Sequence, residues 1–423
     1  MAFYRQWAVQ YRTYNKNIRL SMAANMITQV GLGIFIVIYN FYVRELGYTE
    51  AVNGQIISMA SLATAIILVP AGMIGDRFGR KRVILAGIFV SGLLLFSRAV
   101  ATDGTTLVYL AFAAGLAGAF LQVSGIPWLA ENSDPSERVN LFALQAALMT
   151  AASVIGNLLG GLLTDFFSLF MPELSSIRLT LLIGAGIYIT GVIPAFKFQA
   201  PMKRTEASPL PAGSPGKKSS FSKSGFKIIA LFAFSQMLIG FGAGLVIPYL
   251  NLYFAGRFSA SASTTSFIIS LGQAATAFAM FIGPQVVKRV GEVRAVVYLQ
   301  LSSLPFLILT AYTEHLFLAA VGFLFRQALM NAGNPIQSSL IMSKVDDGMK
   351  GLANSINQTV FNLGWALMGP VSTGIVVQYG NYWGYAYVFS ITAILYLIGS
   401  VYFLMVFGRN QIKKPSFAAQ KTG

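Results

Sequence analysis

In a chain of 423 residues, 55% are hydrophobic and 10% are charged, far below the roughly 25% charge of a soluble domain, so a water-soluble globular fold is excluded. Cysteine is absent and histidine occurs once, at His315, which removes the raw material for thiolate nucleophiles, disulfides and Cys/His zinc sites, so neither a metal nor a cofactor is expected. A net charge of +16 would suggest nucleic acid in a soluble protein; here it sits in loops between apolar stretches, where it sets membrane topology, and no nucleic-acid partner is expected.

Residues 1–17 mix Arg5, Arg12 and Lys16 with Phe3, Tyr4, Trp7, Tyr11 and Tyr14. They lack the apolar core and small-residue cleavage site of a secretory signal and read as an interfacial arm. Apolar spans follow at about 18–43, 51–74, 83–101, 106–130, 140–164, 177–197, 226–254, 263–287, 294–313, 316–343, 352–377 and 384–407. Each is close to the roughly 20 residues that cross a bilayer core of about 30 Å. The expected fold is therefore an all-α integral membrane protein of about twelve helices. It divides into a six-helix bundle over 18–200, a Pro-, Ser-, Gly- and Lys-rich linker over 201–225, a second six-helix bundle over 226–408 and a tail over 409–423.

Lys and Arg crowd into the arm, alternate loops, linker and tail, whereas Arg44, Arg98, Arg178 and Arg257 fall at the other ends of the spans. The positive-inside rule then places both termini and the linker on the cytoplasmic face of a multi-pass protein of the cell (inner) membrane. Within the linker, Gly216-Lys217 superficially looks like a phosphate loop, but the required earlier glycine and preceding strand are missing.

The two bundles repeat one another. Gly31, Gly33, Asn40 and Tyr42 recur as Gly242, Gly244, Asn251 and Tyr253, each 211 positions later (242 − 31). Arg77 and Gly79 recur as Arg289 and Gly291, and Gly125 and Pro127 as Gly333 and Pro335. Parallel repeats of this kind place a substrate site between the halves, near the bilayer midplane.

After the second span, Gly72-Met73-Ile74-Gly75-Asp76-Arg77-Phe78-Gly79-Arg80-Lys81 packs an acid and several bases into a glycine-bearing turn. It resembles the signature loop of the major facilitator superfamily, Gly-x-x-x-Asp-Arg-x-Gly-Arg-Lys/Arg, at every specified position. The resemblance covers essentially the whole chain, with a degenerate second copy at Lys288-Arg289-Val290-Gly291 that has lost the acid. It implies two pseudosymmetric bundles that rock about a central cavity, with Asp76 and Arg77 clamping the halves on the cytoplasmic side. A carboxylate suits the positive N-terminus of a helix in the opposite half, and Glu131 is a candidate partner for the loop's arginines. Gly72, Asp76, Arg77, Gly79, Arg80 and Glu131 thus form the expected gate.

In the fifth span, Ala152-Ser153-Val154-Ile155-Gly156-Asn157-Leu158-Leu159-Gly160-Gly161 partly resembles the family's antiporter signature, with Asn157 in place of proline. Gly156, Asn157, Gly160 and Gly161 can carry that role or serve ordinary close helix packing. The arginine often found in the fourth helix of proton-coupled members is missing, and no carboxylate falls at mid-span. Neutral polar residues recur instead: Asn25 and Gln29, Gln122, Gln236, Asn331 and Asn334, and Asn354 and Gln358. They can line a wet cavity or bond helix to helix. Arg326, about eleven residues into the tenth span, must face a cavity or an acid, with an anionic substrate group, structural bonding or ion coupling as its roles.

The expected function is secondary transport, with efflux of a small organic or amphiphilic compound favoured. Uptake or exchange of an anionic metabolite is one alternative, and a membrane receptor or lipid scramblase on the same fold another. The expected partners are a small-molecule substrate, the bilayer and a coupling ion such as a proton. Neither a nucleophile with its base nor a metal cluster is visible, so no enzymatic activity is expected.

Overall fold

The computed structural model describes residues 14–134, 137–199, 223–345 and 349–408. Most of the arm, the 201–222 part of the linker and the 409–423 tail lie outside the described residues. Six helices form the first half: α1 (Lys16–Glu45), α2 (Glu50–Phe78), α3 (Arg80–Val100), α4 (Gly104–Glu131), α5 (Arg138–Ser168) and α6 (Glu173–Thr190, extended by Val192–Phe196). The second half begins with α7, built from Lys223–Val246, a 3-10 turn at Ile247–Tyr249 and Leu250–Phe258. It continues with α8 (Ala262–Val290), α9 (Glu292–Tyr312) and α10 (Leu316–Ala332, then Asn334–Lys344). A last helical run, Lys350–Phe407, bends at Gly380 into α11 (350–379) and α12 (381–407).

Ten of these stretches are long and apolar enough on their own to cross a membrane. The stretch Leu352–Phe407 holds two spans, and α8, 29 residues long, completes twelve. Large apolar side chains such as Phe89, Phe278 and Phe317 face outward, as expected of helices bathed in lipid. Two interruptions have chemical causes. Pro248 lacks the N–H that would continue α7, and Pro335 follows the Gly333 break in α10.

The sequence repeat becomes a packing repeat. A Cβ on Gly31 would lie 2.5 Å from the Gly184 carbonyl oxygen, and one on Gly33 2.9 Å from that of Ser153, so α1 touches α6 and α5 backbone to backbone. Likewise Gly242 abuts Tyr396 of α12, and Gly244 abuts Trp365 and Gly364 of α11. Small residues at these crossings let helices approach closely where lipid offers no hydrophobic drive. Tyr42 donates to the Ala101 carbonyl at 2.9 Å, and its counterpart Tyr253 donates to that of Thr310 at 2.5 Å, tying α1 to the end of α3 and α7 to the end of α9. The turns at Gly79 and Gly291 also match, at φ +87 and +82, a backbone region that only glycine enters without cost. Asp103, before α4, accepts from the Thr106 N–H at 2.8 Å and from its hydroxyl at 2.9 Å; these bonds hold its carboxyl below the usual carboxylate range.

Candidate functional site

Each half has an even number of spans, so Lys16, Phe196, Lys223 and Phe407 lie at one end of the bundle. At the opposite, distal end the halves are joined. The repeat-related Asn40 and Asn251 meet there: Asn40 Nδ2 donates to Asn251 Oδ1 at 3.0 Å and to the Pro248 carbonyl at 2.8 Å, and Asn251 Nδ2 donates to the Val37 carbonyl at 2.9 Å. Both are buried, at 6% and 3% exposure, so their amides are mutually satisfied across the approximate two-fold axis. Asp165, on the last turn of α5, accepts from the Ser263 N–H at 3.0 Å and from its hydroxyl at the start of α8. A carboxylate there meets the positive end of a helix dipole. Gly161 sits against Ala262 and Ser263, and Gly54 of α2 against Gly369 and Thr373 of α11, so the closure extends across the distal face.

Beneath this closure lies a cavity of about 350 Å³ between the halves. Phe35, Tyr39 and Asn40 come from α1, Arg98 from α3, Ser153 and Asn157 from α5. The second half supplies Asn251, Gln273, Phe323, Gln327 and Trp365. Ser153, Gln273 and Gln327 also border a second space of about 340 Å³, which adds Gln29, Thr150, Thr276 and Asn331. Gln29 is eleven residues, or about 16 Å of helix, nearer the terminal end than Asn40. A third space of about 480 Å³ within the first half shares Gln29 and continues to Asn25, Gln122 and Gln145. The three adjoin through these shared residues, from the distal closure toward the end that carries the termini. Among the described residues, one charged side chain, Arg98, lines it, and no carboxylate does.

The structure brings Asn25, Gln29 and Gln122 together in one space, and Asn331 into the next. Asn334 donates to Asn331 Oδ1 at 3.1 Å. Gln236 instead bonds Gln337 at 3.2 Å within the second half, joining α7 to α10. Asn354 and Gln358 are exposed on α11 and border none of these spaces. Asn157 lines the cavity, while Gly156 and Gly160 press α5 onto α1 and Gly161 presses it onto α8. In the gate loop Arg80 pairs with Glu131 at 3.1 Å, a contact within the first half and not between halves. Arg77 is exposed, with its guanidinium 5.9 Å from the Phe78 ring, and Gly79 makes the turn. Gly72 and the Asp76 side chain lie outside the described set.

Two arginines differ from the sequence-based expectation. Arg326 is 2% exposed and, among the described residues, borders neither the cavity nor an acid: its guanidinium donates to Tyr396 Oη at 2.6 Å and to Gln327 Oε1 at 2.7 Å. A phenol and an amide supply the acceptors that a carboxylate or water was expected to give. Arg98, expected to mark only the outer end of a span, reaches the cavity, its guanidinium 4.0 Å from the Tyr39 ring centroid and 5.1 Å from that of Phe35. A charge in the last turn of a span looks interfacial in sequence; the packing of α3 against α1 turns it inward.

The Major Facilitator Superfamily model matches residues 21–233 and again 232–422, once per half. The chain belongs to the major facilitator superfamily. It is 21% identical over 369 residues to the quinolone resistance protein NorA of Staphylococcus aureus, covering 85% of this chain and 89% of that one. Among solved structures, a bacterial homologue of the lysosomal transporter Spinster, in an inward-facing conformation, superposes with a TM-score of 0.78 at 14% identity over 96% of this chain and 99% of the other. The nucleoside transporter NupG superposes with a TM-score of 0.72 at 16% identity over 92% and 99%. The chain is thus a membrane transporter of this superfamily, with a small molecule as its substrate and the bilayer as its surroundings.

Proposed function

We propose that the chain exports small organic or amphiphilic compounds across the cell (inner) membrane by alternating access. The observation that carries this reading is the cavity between the halves, sealed distally by the Asn40–Asn251 and Asp165–Ser263 contacts and continuous with polar spaces toward the terminal end. With the basic residues assigning the termini and the 201–225 linker to the cytoplasm, this is an inward-open state, ready to load from inside. The likeness to a protein named for quinolone resistance supports export as the direction. Rocking of the halves would break the distal contacts and close the terminal end, where Asp76 and Arg77 would form the opposing clamp.

Expression in cells lacking other exporters should lower retention of at least one member of a panel of fluorescent aromatic amphiphiles. Asp76→Asn should leave the protein in the membrane at normal abundance and remove most of that effect, because a charge-assisted contact of one conformational state is lost. Increased retention on expression would reverse the direction, and full activity of Asp76→Asn would remove this residue from the gate.

A further inference from the structure

Among the described residues, the central cavity has one charged side chain in its wall, Arg98. Arg98 accepts no counter-ion from any described residue and donates no hydrogen bond to one; its Nε is buried without a partner, and its guanidinium is held only over the faces of Tyr39 and Phe35. The Tyr39 hydroxyl, on a side chain 3% exposed, is also buried without a partner, and so is the indole N–H of Trp365 across the cavity in the second half. All three are donors, or in the tyrosine's case able to donate, and two can only donate. The remaining wall mixes apolar and aromatic side chains, with Phe323 and Ile247 facing Leu32 and Ile57, and neutral polar ones such as Asn157, Gln273 and Gln327. Buried polar groups in native proteins are ordinarily paired, and a cation over aromatic rings is only partly compensated.

We infer that this cavity recognises organic anions: compounds with an aromatic or apolar body and a carboxylate, sulfonate or similar group that Arg98 receives. The inference deepens the export reading and rests on the same cavity. Arg98 fixes charge sign through an always-ionised fork suited to carboxylate oxygens. Tyr39 and Phe35 stack beneath the guanidinium and hold it in place, and the second half supplies Phe323 and Trp365 to the wall that meets the apolar body. A cationic analogue of the same size would face Arg98 with no carboxylate among the described lining residues to compensate it.

The test uses purified full-length protein in detergent and three matched probes, 2-naphthoate, 2-naphthamide and 2-naphthylmethylammonium, with dissociation constants read by titration. Naphthoate should bind about tenfold or more tightly than the amide, and the amine most weakly. Arg98→Gln should remove the preference for naphthoate while changing amide affinity little, and Arg98→Lys should retain part of it. Tyr39→Leu, which removes the ring 4.0 Å from the guanidinium, should weaken naphthoate selectively and keeps the inference testable should Arg98→Gln fail to fold. Equal affinities for the three probes, no binding by any of them, a preference for the amine, or an undiminished naphthoate preference in folded Arg98→Gln overturns it. Proteoliposome flux separates this from the export reading: selective naphthoate binding without outward flux would sink export and leave the anion site standing, whereas flux indifferent to probe charge would do the reverse.

Discussion

Gly156→Val is expected to yield little folded protein and, in what survives, a melting temperature in detergent lowered by many degrees. A Cβ at this position would lie 2.3 Å from the Val30 carbonyl oxygen, 3.0 Å from the carbonyl carbon and 3.1 Å from the Gly33 Cα. None of these atoms is the end of a flexible side chain, so α1 and α5 must separate for the methyl groups to fit. Overpacking a core costs about 1–3 kcal/mol when side chains can adjust, and the cost is larger when two backbones carry the strain. That is a large share of the roughly 5–15 kcal/mol that holds a domain together. Gly374→Ala in α11 is the control: nothing lies within 4 Å of its added Cβ, and an alanine in a helix should be neutral or stabilising by about 0.5–1 kcal/mol. A Gly156→Val protein as stable as this control would show that α1 and α5 are not in backbone contact.

At Arg326 the conservative replacement is expected to be the worse one for stability. The guanidinium uses two nitrogens in different directions, to Tyr396 Oη at 2.6 Å and to Gln327 Oε1 at 2.7 Å, with the Tyr396 ring centroid 5.4 Å away. Lysine keeps the burden of a buried charge and loses the fork, leaving a buried acceptor unmet at about 1–3 kcal/mol, in addition to a lost charge-assisted bond of about 1.5–3 kcal/mol. Glutamine loses the same bonds but sheds the desolvation cost of the cation, several kcal/mol for a buried ion, and its amide can still bond one partner. Thermal unfolding should therefore rank wild type above Arg326→Gln above Arg326→Lys. Both variants should transport poorly, because Arg326 holds the side chain of Gln327, and Gln327 is at the cavity wall. If Arg326 met the substrate directly, lysine would preserve more binding than glutamine without a greater loss of stability; that ranking would contradict the structural account.

Much of this architecture is written in local sequence signals. Span count follows from apolar length, and the Gly31/Gly33 and Gly242/Gly244 repeats mark the crossings where α1 and α7 pack on their neighbours. Asn40 and Asn251 are visible as a repeat-related pair, though that they bond each other across the axis comes only from the assembled halves. The shared face of Asn25 and Gln29 follows from helical spacing, whereas Gln236 has the same sequence character and spends its amide on Gln337, 101 residues away. Arg326 likewise finds a phenol 70 residues distant, a partner with no charge to betray it. Arg98 was hidden for a different reason: its position in the last turn is legible, but the direction of its side chain depends on how α3 packs on α1. Asp165 lies near the end of the fifth span, and nothing local in sequence marks the N-terminus of α8 as its partner.

In the proposed alternating-access cycle, the distal closure between the halves opens in every round of transport. Gly54 and Thr373 meet across that closure: a Cβ on Gly54 would lie 2.3 Å from Thr373 Oγ1 and 3.1 Å from its Cγ2, with one residue in each half. Replacing both with cysteine in a chain that has none puts two thiols face to face across the closure, where close approach of this kind suits a disulfide. In proteoliposomes, the oxidised double variant should form the cross-link and lose substrate flux, and a reductant should restore flux toward the level of the unoxidised protein. Flux that continues undiminished with the cross-link quantitatively formed would show that the halves do not part at this face, and the account would fail.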